Sequence, residues 1–406
     1  MNQFAVVDKV LQVGGVPIDR LANRVGQTPF YAYDRQLLSQ RVAQLREQLP
    51  DAVHLHYAMK ANPMPAVVQH MAGLTDGLDV ASLREMRVAL DTGIAPRDIS
   101  FAGPGKGDDE LRAAAAAGVI VNLESASEME RLAAISREDG VRARVSVRVN
   151  PDFELKTSGM KMAGGAKPFG VDAELVPALL TRIGELADAL DFQGFHIFSG
   201  SQNLKPEALI EAQSKTFELA VQLAAYAPCP ITWLNIGGGF GIPYFPGESH
   251  LDLAPVAENL QRLLDQYQPQ LPEAEIVIEL GRYLVGEAGV YVSKVVDVKE
   301  SRGQTFAVCN GGLHHHLSNS GNFGQVIRKN YPVCIGNRVG NGAEEVLDVV
   351  NAVGPLCTPL DILADKYPLP DVQVGDLLVV FQSGAYGFTA SPHLFLSHAP
   401  PVEVLV

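Results

Sequence analysis

Cysteine is scarce in this sequence: there are four in 406 residues, at positions 229, 309, 334 and 357, with no C-x-x-C pair. That spacing excludes a zinc knuckle and a disulfide framework, and it points to reduced thiols. Positive charge is also short, with 32 Lys and Arg against 46 Asp and Glu and a formal net charge of −14. Such a balance repels phosphate backbones and anionic lipid surfaces, which excludes nucleic acid and membranes as expected partners. No apolar run approaches the roughly 18 residues that a membrane-spanning helix needs. Residues 1–10 lack a basic patch followed by an apolar core, so a soluble, cytoplasmic protein is expected. What the chain does have is apolar mass, 47% hydrophobic residues against 19% charged. That excludes disorder and supplies enough core for two domains.

Eight short β-rich runs, at 53–60, 77–82, 99–103, 119–124, 144–150, 192–198, 233–238 and 275–282, recur along the first two thirds of the chain. Segments of helical periodicity at 65–71, 82–91, 108–117, 127–137, 173–190, 205–227 and 253–267 separate most of them. This alternation predicts an α/β fold with a (β/α)8 TIM barrel over residues 35–283, the closed arrangement that buries every strand on both faces. Beyond about residue 290, β-branched runs at 290–298, 346–353 and 377–381 are divided by Gly, Pro and Asn clusters. They predict a C-terminal antiparallel β domain built from 1–34 and 284–406, with 30–33 available to pair into its sheet. The Gly-rich segment 151–171 is a loop of the length that accompanies a site.

Barrel enzymes place their chemistry at the C-terminal strand ends. There the sequence offers Lys60, Asp79, Ser82, Glu124, Arg148, Asn150, His196, Glu279 and Arg282. Three consecutive glycines, Gly237, Gly238 and Gly239, follow the seventh strand and let backbone N–H groups approach an anion. A glycine triplet is also an ordinary tight turn, but barrel phosphate cradles follow strands seven and eight. Lys60 at the end of an apolar strand is expected to be partly desolvated, as a nucleophilic amine requires, although a rim lysine can equally snorkel to solvent. A phosphate cradle, an amine and an acid in one mouth match pyridoxal phosphate, with Glu279 facing the pyridine nitrogen and His196 lying on the ring.

These residues resemble the fold-type III pyridoxal-phosphate decarboxylases, which include the diaminopimelate, ornithine and arginine decarboxylases. Tyr57-Ala58-Met59-Lys60-Ala61-Asn62 is similar to their Y-A-x-K-A-N motif. The match continues through Asp79-Val80-Ala81-Ser82, Gly103-Pro104-Gly105-Lys106, Arg148-Val149-Asn150-Pro151, the triglycine, Glu279-Leu280-Gly281-Arg282, Gly354-Pro355-Leu356-Cys357 and Gly384-Ala385-Tyr386. The resemblance implies an alanine racemase-like two-domain architecture and an obligate homodimer with shared active sites. It also implies that Lys60 holds the cofactor, His196 stacks on it and Glu279 pairs with its ring nitrogen. Ser201, the triglycine and Tyr386 would bind phosphate, with Asp79, Arg148, Gly281 and Arg282 completing the cofactor set. Cys357 would enter the other subunit's barrel mouth and help protonate the carbanion. His196-Ile197-Phe198-Ser199-Gly200-Ser201-Gln202 carries two more residues than the family's H-x-G-S-Q, which leaves Ser199 and Ser201 as alternatives for the phosphate.

The position after Cys357 points to the substrate. Diaminopimelate and ornithine decarboxylases carry an acid there for the substrate's distal ammonium, and this chain has Thr358. A desolvated ammonium without a carboxylate is costly, which disfavours a free diamine-type substrate unless Asp361 substitutes. The sequence is thus closer to the divergent branch that acts on carrier-protein-bound glutamyl groups or related modified amino acids, including exosortase-associated decarboxylases. In the divergent stretch 314–338, Arg328, Lys329 and Tyr331 are candidates to line the distal pocket, the first two toward an anionic tether. The alternatives are a meso-diaminopimelate decarboxylase, an amino-acid racemase, against which Glu279 speaks, and a non-catalytic regulatory homologue, against which Lys60, Glu279 and Cys357 speak. No metal is expected. His314, His315 and His316, read as strand residues, point to opposite faces. Gly103 to Gly107 lacks the spacing of a nucleotide loop.

Overall fold

The computed structural model describes residues 3–153, 160–161, 164–323, 328–340 and 347–406. The chain divides into two compact units, one of residues 41–242 and 249–283, the other of 1–40, 243–248 and 284–406. No helix among the described residues is long and apolar enough to cross a membrane.

The first unit is a closed parallel barrel. Its strands are β1 (Val53–Ala58), β2 (Gly77–Val80), β3 (Ile99–Phe101), β4 (Ile120–Leu123), β5 (Ala143–Asn150), β6 (Leu190–His196), β7 (Trp233–Gly238) and β8 (Glu275–Leu280). Each pairs in parallel with the next, and β8 pairs with β1 to close the ring. Helices α1 (Pro65–Ala72), α2 (Leu83–Leu90), α3 (Asp108–Ala117), α4 (Ala126–Asp139), α5 (Val176–Glu185), α6 (Pro206–Ala224) and α7 (Ala254–Tyr267) provide the crossovers. Local sequence starts several of them. Ser82 and Ser125 accept the amides of Glu85 and Glu128 at the N-termini of α2 and α4, and Pro occupies the first helical position of α1 and α6.

The barrel interior is unusually polar. His56 Nδ1 lies 3.3 Å from Asp79 Oδ1, which also accepts the Ser100 hydroxyl at 2.5 Å. Asn122 donates to Ser100 Oγ at 3.3 Å and accepts from the Ser146 hydroxyl. A hydrogen-bonded belt therefore crosses from β1 to β5, and all five side chains are buried. Such a belt is stable only because nearly every member has a partner.

The second unit is mostly sheet. Its long strand β9 (Gly289–Ser301) pairs with β10 (Gln304–Cys309), with β14 (Leu377–Val380) and with the N-terminal strand Phe30–Tyr33. The remaining strands are β11 (Val333–Ile335), β12 (Asp348–Val353), β13 (Ile362–Leu369) and β15 (Val402–Leu405). Two pairings depart from the antiparallel expectation, β10 with β12 and β15 with Phe30–Tyr33, which are parallel. In both, a long excursion returns the chain in the original direction. The core packs Phe30, Ala32, Val290, Val292, Val379 and Phe381 against Ile18 and Leu21 of the N-terminal helix Ile18–Val25.

Lys106 is buried between β3 and α3, its amine donating to Gly103 O at 2.6 Å and Asn122 O at 3.0 Å. Glu128 Oε1 stands 2.9 Å away as an ion-pair partner, though not in well-angled hydrogen-bond geometry. Lys106→Met should lower unfolding free energy by about 3–5 kcal/mol by stranding a buried carboxylate, and adding Glu128→Leu should recover much of it. Urea unfolding of the two variants checks this.

Candidate active site

The barrel mouth begins with a turn. Lys60 does not extend β1; it sits in the single 3-10 turn Met59–Ala61 that follows. The buried Tyr57 hydroxyl donates to Asn62 O at 2.8 Å and bends the chain there. The end of β8 packs on this turn. A side chain at Gly281 would meet Ala58 O at 2.9 Å and Ala61 Cβ at 3.0 Å, so the first and last strand ends require small residues where they touch. Contrary to the expectation of desolvation, Lys60 is exposed, because the turn lifts it off the strand. Its amine lies 5.8 Å from the Phe198 ring centroid.

Glu279 is buried at the end of β8, with Oε2 3.3 Å from both His196 Nε2 and Asn235 Nδ2. Burial pushes its carboxyl pKa up, but His196, then Lys60 and Arg148, outweigh that and hold it at about 2. The His196 contact is an ion-pair approach rather than a well-directed hydrogen bond, and neither ring nitrogen of this buried imidazole has such a bond among the described residues. Asn235 also accepts the Gly237 amide at 2.8 Å, which joins the acid to the triglycine turn. Gly237 and Gly239 have φ of +70° and +79°. A Cβ would fall 2.1 Å from Glu279 O at Gly238 and 2.2 Å from Gly200 O at Gly239. The Ser199 and Ser201 segment is bound to the same turn, since Asn203 N donates to Gly239 O at 2.9 Å and Gly241 N to Asn203 O at 2.9 Å.

Arg148, on β5, donates to Glu124 Oε1 at 2.8 Å and lies over the Phe169 ring. Glu124 also accepts the amides of Gly103 at 2.6 Å and Gly170 at 3.1 Å. Burial raises the Glu124 pKa, but Arg148 and Lys106 bring it below the usual carboxylate value. Asp79 Oδ2 is buried without a hydrogen-bond partner among the described residues. Ser82 caps α2. Asn150 ties the following loop by donating to Gly165 O and Asp172 Oδ1; residues 154–159 and 162–163 of that loop lie outside the described residues. Sequence reasoning missed Asn235 and His56. Both are polar residues on the same alternation as other barrel positions, Asn235 in an apolar strand and His56 two residues after His54, and that was the available signal.

The barrel residues fit a phosphorylated pyridine aldehyde. An exposed amine, a glycine cradle that no Cβ could enter, a buried imidazole with no directed partner among the described residues and an ionised buried acid all converge at one mouth.

In the second unit, Cys357 is exposed on the turn between β12 and β13. Asp361 is buried, with one oxygen accepting Leu313 N at 2.6 Å and the other Leu356 N at 2.8 Å. Both Asp361 oxygens are thus engaged by backbone amides, so Asp361 clamps two backbone segments and shapes the turn carrying Cys357 and Thr358. Thr358 Oγ1 accepts the Leu360 amide at 3.3 Å. Arg328 is no solvated basic residue either. Its Nη1 donates to Ser320 O and Ile362 O, its Nε and Nη2 are buried without partners among the described residues, and burial lowers its pKa. Lys329 lies over Phe245, and Tyr331 packs on Tyr244 and Phe245. Tyr386 takes φ +53° and its carbonyl accepts from Ser318. His314, His315 and His316 lie in a turn rather than a strand. Among the described residues no three metal-ligating side chains converge.

Residues 35–286 match the family model described as "Pyridoxal-dependent decarboxylase, pyridoxal binding domain". The chain is 34% identical to an L-glutamyl-[BtrI acyl-carrier protein] decarboxylase of Niallia circulans, over 93% of this chain and 89% of that protein. It is 32% identical to a diaminopimelate decarboxylase of Aquifex aeolicus, over 98% and 91%. The crystal structure of diaminopimelate decarboxylase from M. jannaschii in co-complex with L-lysine superposes with a TM-score of 0.87 at 25% identity, covering 100% of this chain and 93% of that one.

Two outcomes follow from the barrel geometry. Glu279 is held below its ordinary value of 4.5 at about 2, so its contribution to stability is complete above about pH 4.5 and is lost as pH falls toward 2. The difference in unfolding free energy between cofactor-free wild type and Glu279→Gln should shrink over that window and be flat above it, as read from urea melts at a series of pH values. Gly239→Ala should abolish retention of pyridoxal phosphate while leaving a folded barrel, read from visible absorbance after desalting and from far-UV circular dichroism.

Proposed function

Because the chain belongs to the pyridoxal-dependent decarboxylase family and is a pyridoxal-phosphate-dependent carboxy-lyase, we propose that its substrate is a modified or carrier-protein-tethered amino acid such as a glutamyl thioester. We place its active sites between the subunits of a homodimer. The observation that carries the substrate reading is the engagement of Asp361. With both its oxygens on backbone amides and Thr358 beside Cys357, this turn presents no carboxylate to a distal ammonium. A thioester end has no such charge to neutralise. Arg328, pinned to Ile362 O one residue past Asp361, has buried donors left over for an anionic or amide-rich tether. The similarity to the Niallia circulans protein supports the same substrate class.

In this reading Lys60 holds the cofactor's aldehyde carbon, while the triglycine amides, Ser199 or Ser201, and Tyr386 hold its phosphate. Asp79, Arg148, Gly281 and Arg282 line the remainder, and His196 covers the ring face. When bound, pyridoxal phosphate supplies an electron-withdrawing ring that stabilises the negative charge left at the substrate's α-carbon by loss of CO2. Glu279, kept ionised by His196, Lys60 and Arg148, holds a proton on the facing ring nitrogen. Cys357 Sγ, from the other subunit, returns a proton to the α-carbon.

CO2 release should be fastest with a carrier-bound glutamyl thioester in a panel that also holds meso-diaminopimelate, ornithine, arginine and free glutamate. Best turnover of diaminopimelate would overturn the substrate assignment. For the shared site, Lys60→Ala and Cys357→Ala should each be nearly inactive, and mixing them with subunit exchange should restore about a quarter of wild-type activity, since half the dimers then hold one intact site. No restoration would show that Cys357 acts on its own subunit or not at all.

A further inference from the structure

The N-terminal end of the barrel, opposite Lys60 and Glu279, is not filled. A cavity of about 410 Å³ opens there among the first inward-facing residues of the strands. Its apolar floor is made by Ile120 and the buried Trp233, which cluster with Val277. Its wall holds Arg144, Gln193, Asp98 and Glu275. Arg144 is held in place: its Nη2 donates to Gln193 Oε1 at 2.9 Å, and Gln193 is itself held by Asp191 at 2.9 Å. The Arg144 Nη1 is buried and has no acceptor among the described residues. A buried guanidinium donor without an acceptor is unfavourable until a ligand supplies one. Elsewhere on the wall, Asp98 makes a loose 3.7 Å ion pair with Arg97, and Glu275 is exposed. Asp76, the third acid on the wall, is already engaged by Arg46 and by Leu55 N.

The volume is more than ten times the roughly 30 Å³ share of one water, and it falls within the about 300–1,000 Å³ of small-molecule sites. The charges decide the ligand class. A simple anion would meet Asp98 and Glu275, and a simple cation would meet Arg144 and Arg97, whereas a molecule bearing both signs satisfies both sides. We propose that this cavity binds a small zwitterion of the α-amino-acid class, with its carboxylate on Arg144, its ammonium toward Asp98 and Glu275, and its side chain against Trp233 and Ile120. The site is separate from the decarboxylation centre and does not rest on the substrate assigned to it.

Trp233 is the single tryptophan of the chain, so its emission reports on this cavity. The holoenzyme is titrated with glycine, L-alanine, L-glutamate and L-lysine, and with acetate and methylammonium as half-ligands, while cofactor absorbance is recorded in parallel. At least one amino acid should change Trp233 emission saturably without a matching change in cofactor absorbance. Arg144→Gln and Glu275→Gln should each weaken that binding about tenfold or more while turnover is retained. The proposal is overturned if no amino acid gives a saturable response, if the response only follows cofactor absorbance, if acetate or methylammonium binds as well as any amino acid, or if both variants bind as wild type. Should Arg144→Gln fail to fold, Glu275→Gln, at an exposed position, decides alone.

Discussion

The barrel mouth is organised around one negative charge kept out of water. A carboxylate buried at the end of β8 is tolerated only with compensating charge and hydrogen bonds nearby, and Glu279 has them in His196, Asn235, Lys60 and Arg148. The compensation has structural consequences. Asn235 bonds both the acid and the Gly237 amide, so the side chain that steadies the charge also sets the start of the triglycine turn. That turn in turn holds the segment after β6 through Asn203. Strands six, seven and eight thus share one electrostatic solution, and the missing side chains of the glycines are what let their backbones meet.

Below this layer the barrel does not revert to an aliphatic core. The belt from His56 to Ser146 spends inward positions on hydrogen bonds, and burial of His56, which disfavours its charged form, is outweighed by Asp79, so that its pKa is raised. Directional bonds hold Asp79 in a single orientation, with Oδ2 unpartnered among the described residues. In the β-rich unit the same principle appears at Asp361. A carboxylate buried against Gly312 and Gly354, where a side chain would lie within 2.2 Å of its oxygens, fixes two backbone segments and with them the turn that presents Cys357.

Much of this was legible along the chain. The strand–helix alternation, the pairing of residues 30–33 with the later sheet, and the sites of Lys60, the triglycine and Glu279 follow from periodicity and from the rule that barrel chemistry gathers at strand ends. The misreadings have local causes. Hydrophobicity runs on past Ala58 and places Lys60 on the strand in the sequence pattern, whereas a hydroxyl-to-carbonyl bond from Tyr57 turns the chain before it. The setting of His314, His315 and His316 suggests a strand, but they fold into a turn.

The sequence by itself determined which residues alternate and which chemistry the spacing of amine, glycines and acid permits within one barrel, because these depend on local backbone sterics and on a period of two or 3.6. Only the tertiary structure decided how each polar group spends its hydrogen bonds: that Asp361 holds backbone amides, that Asn235 serves both acid and turn, and that Arg144 has a donor unmet among the described residues. Partner choice among buried polar groups is set by distances between strands far apart in sequence, and no one-dimensional pattern carries those distances.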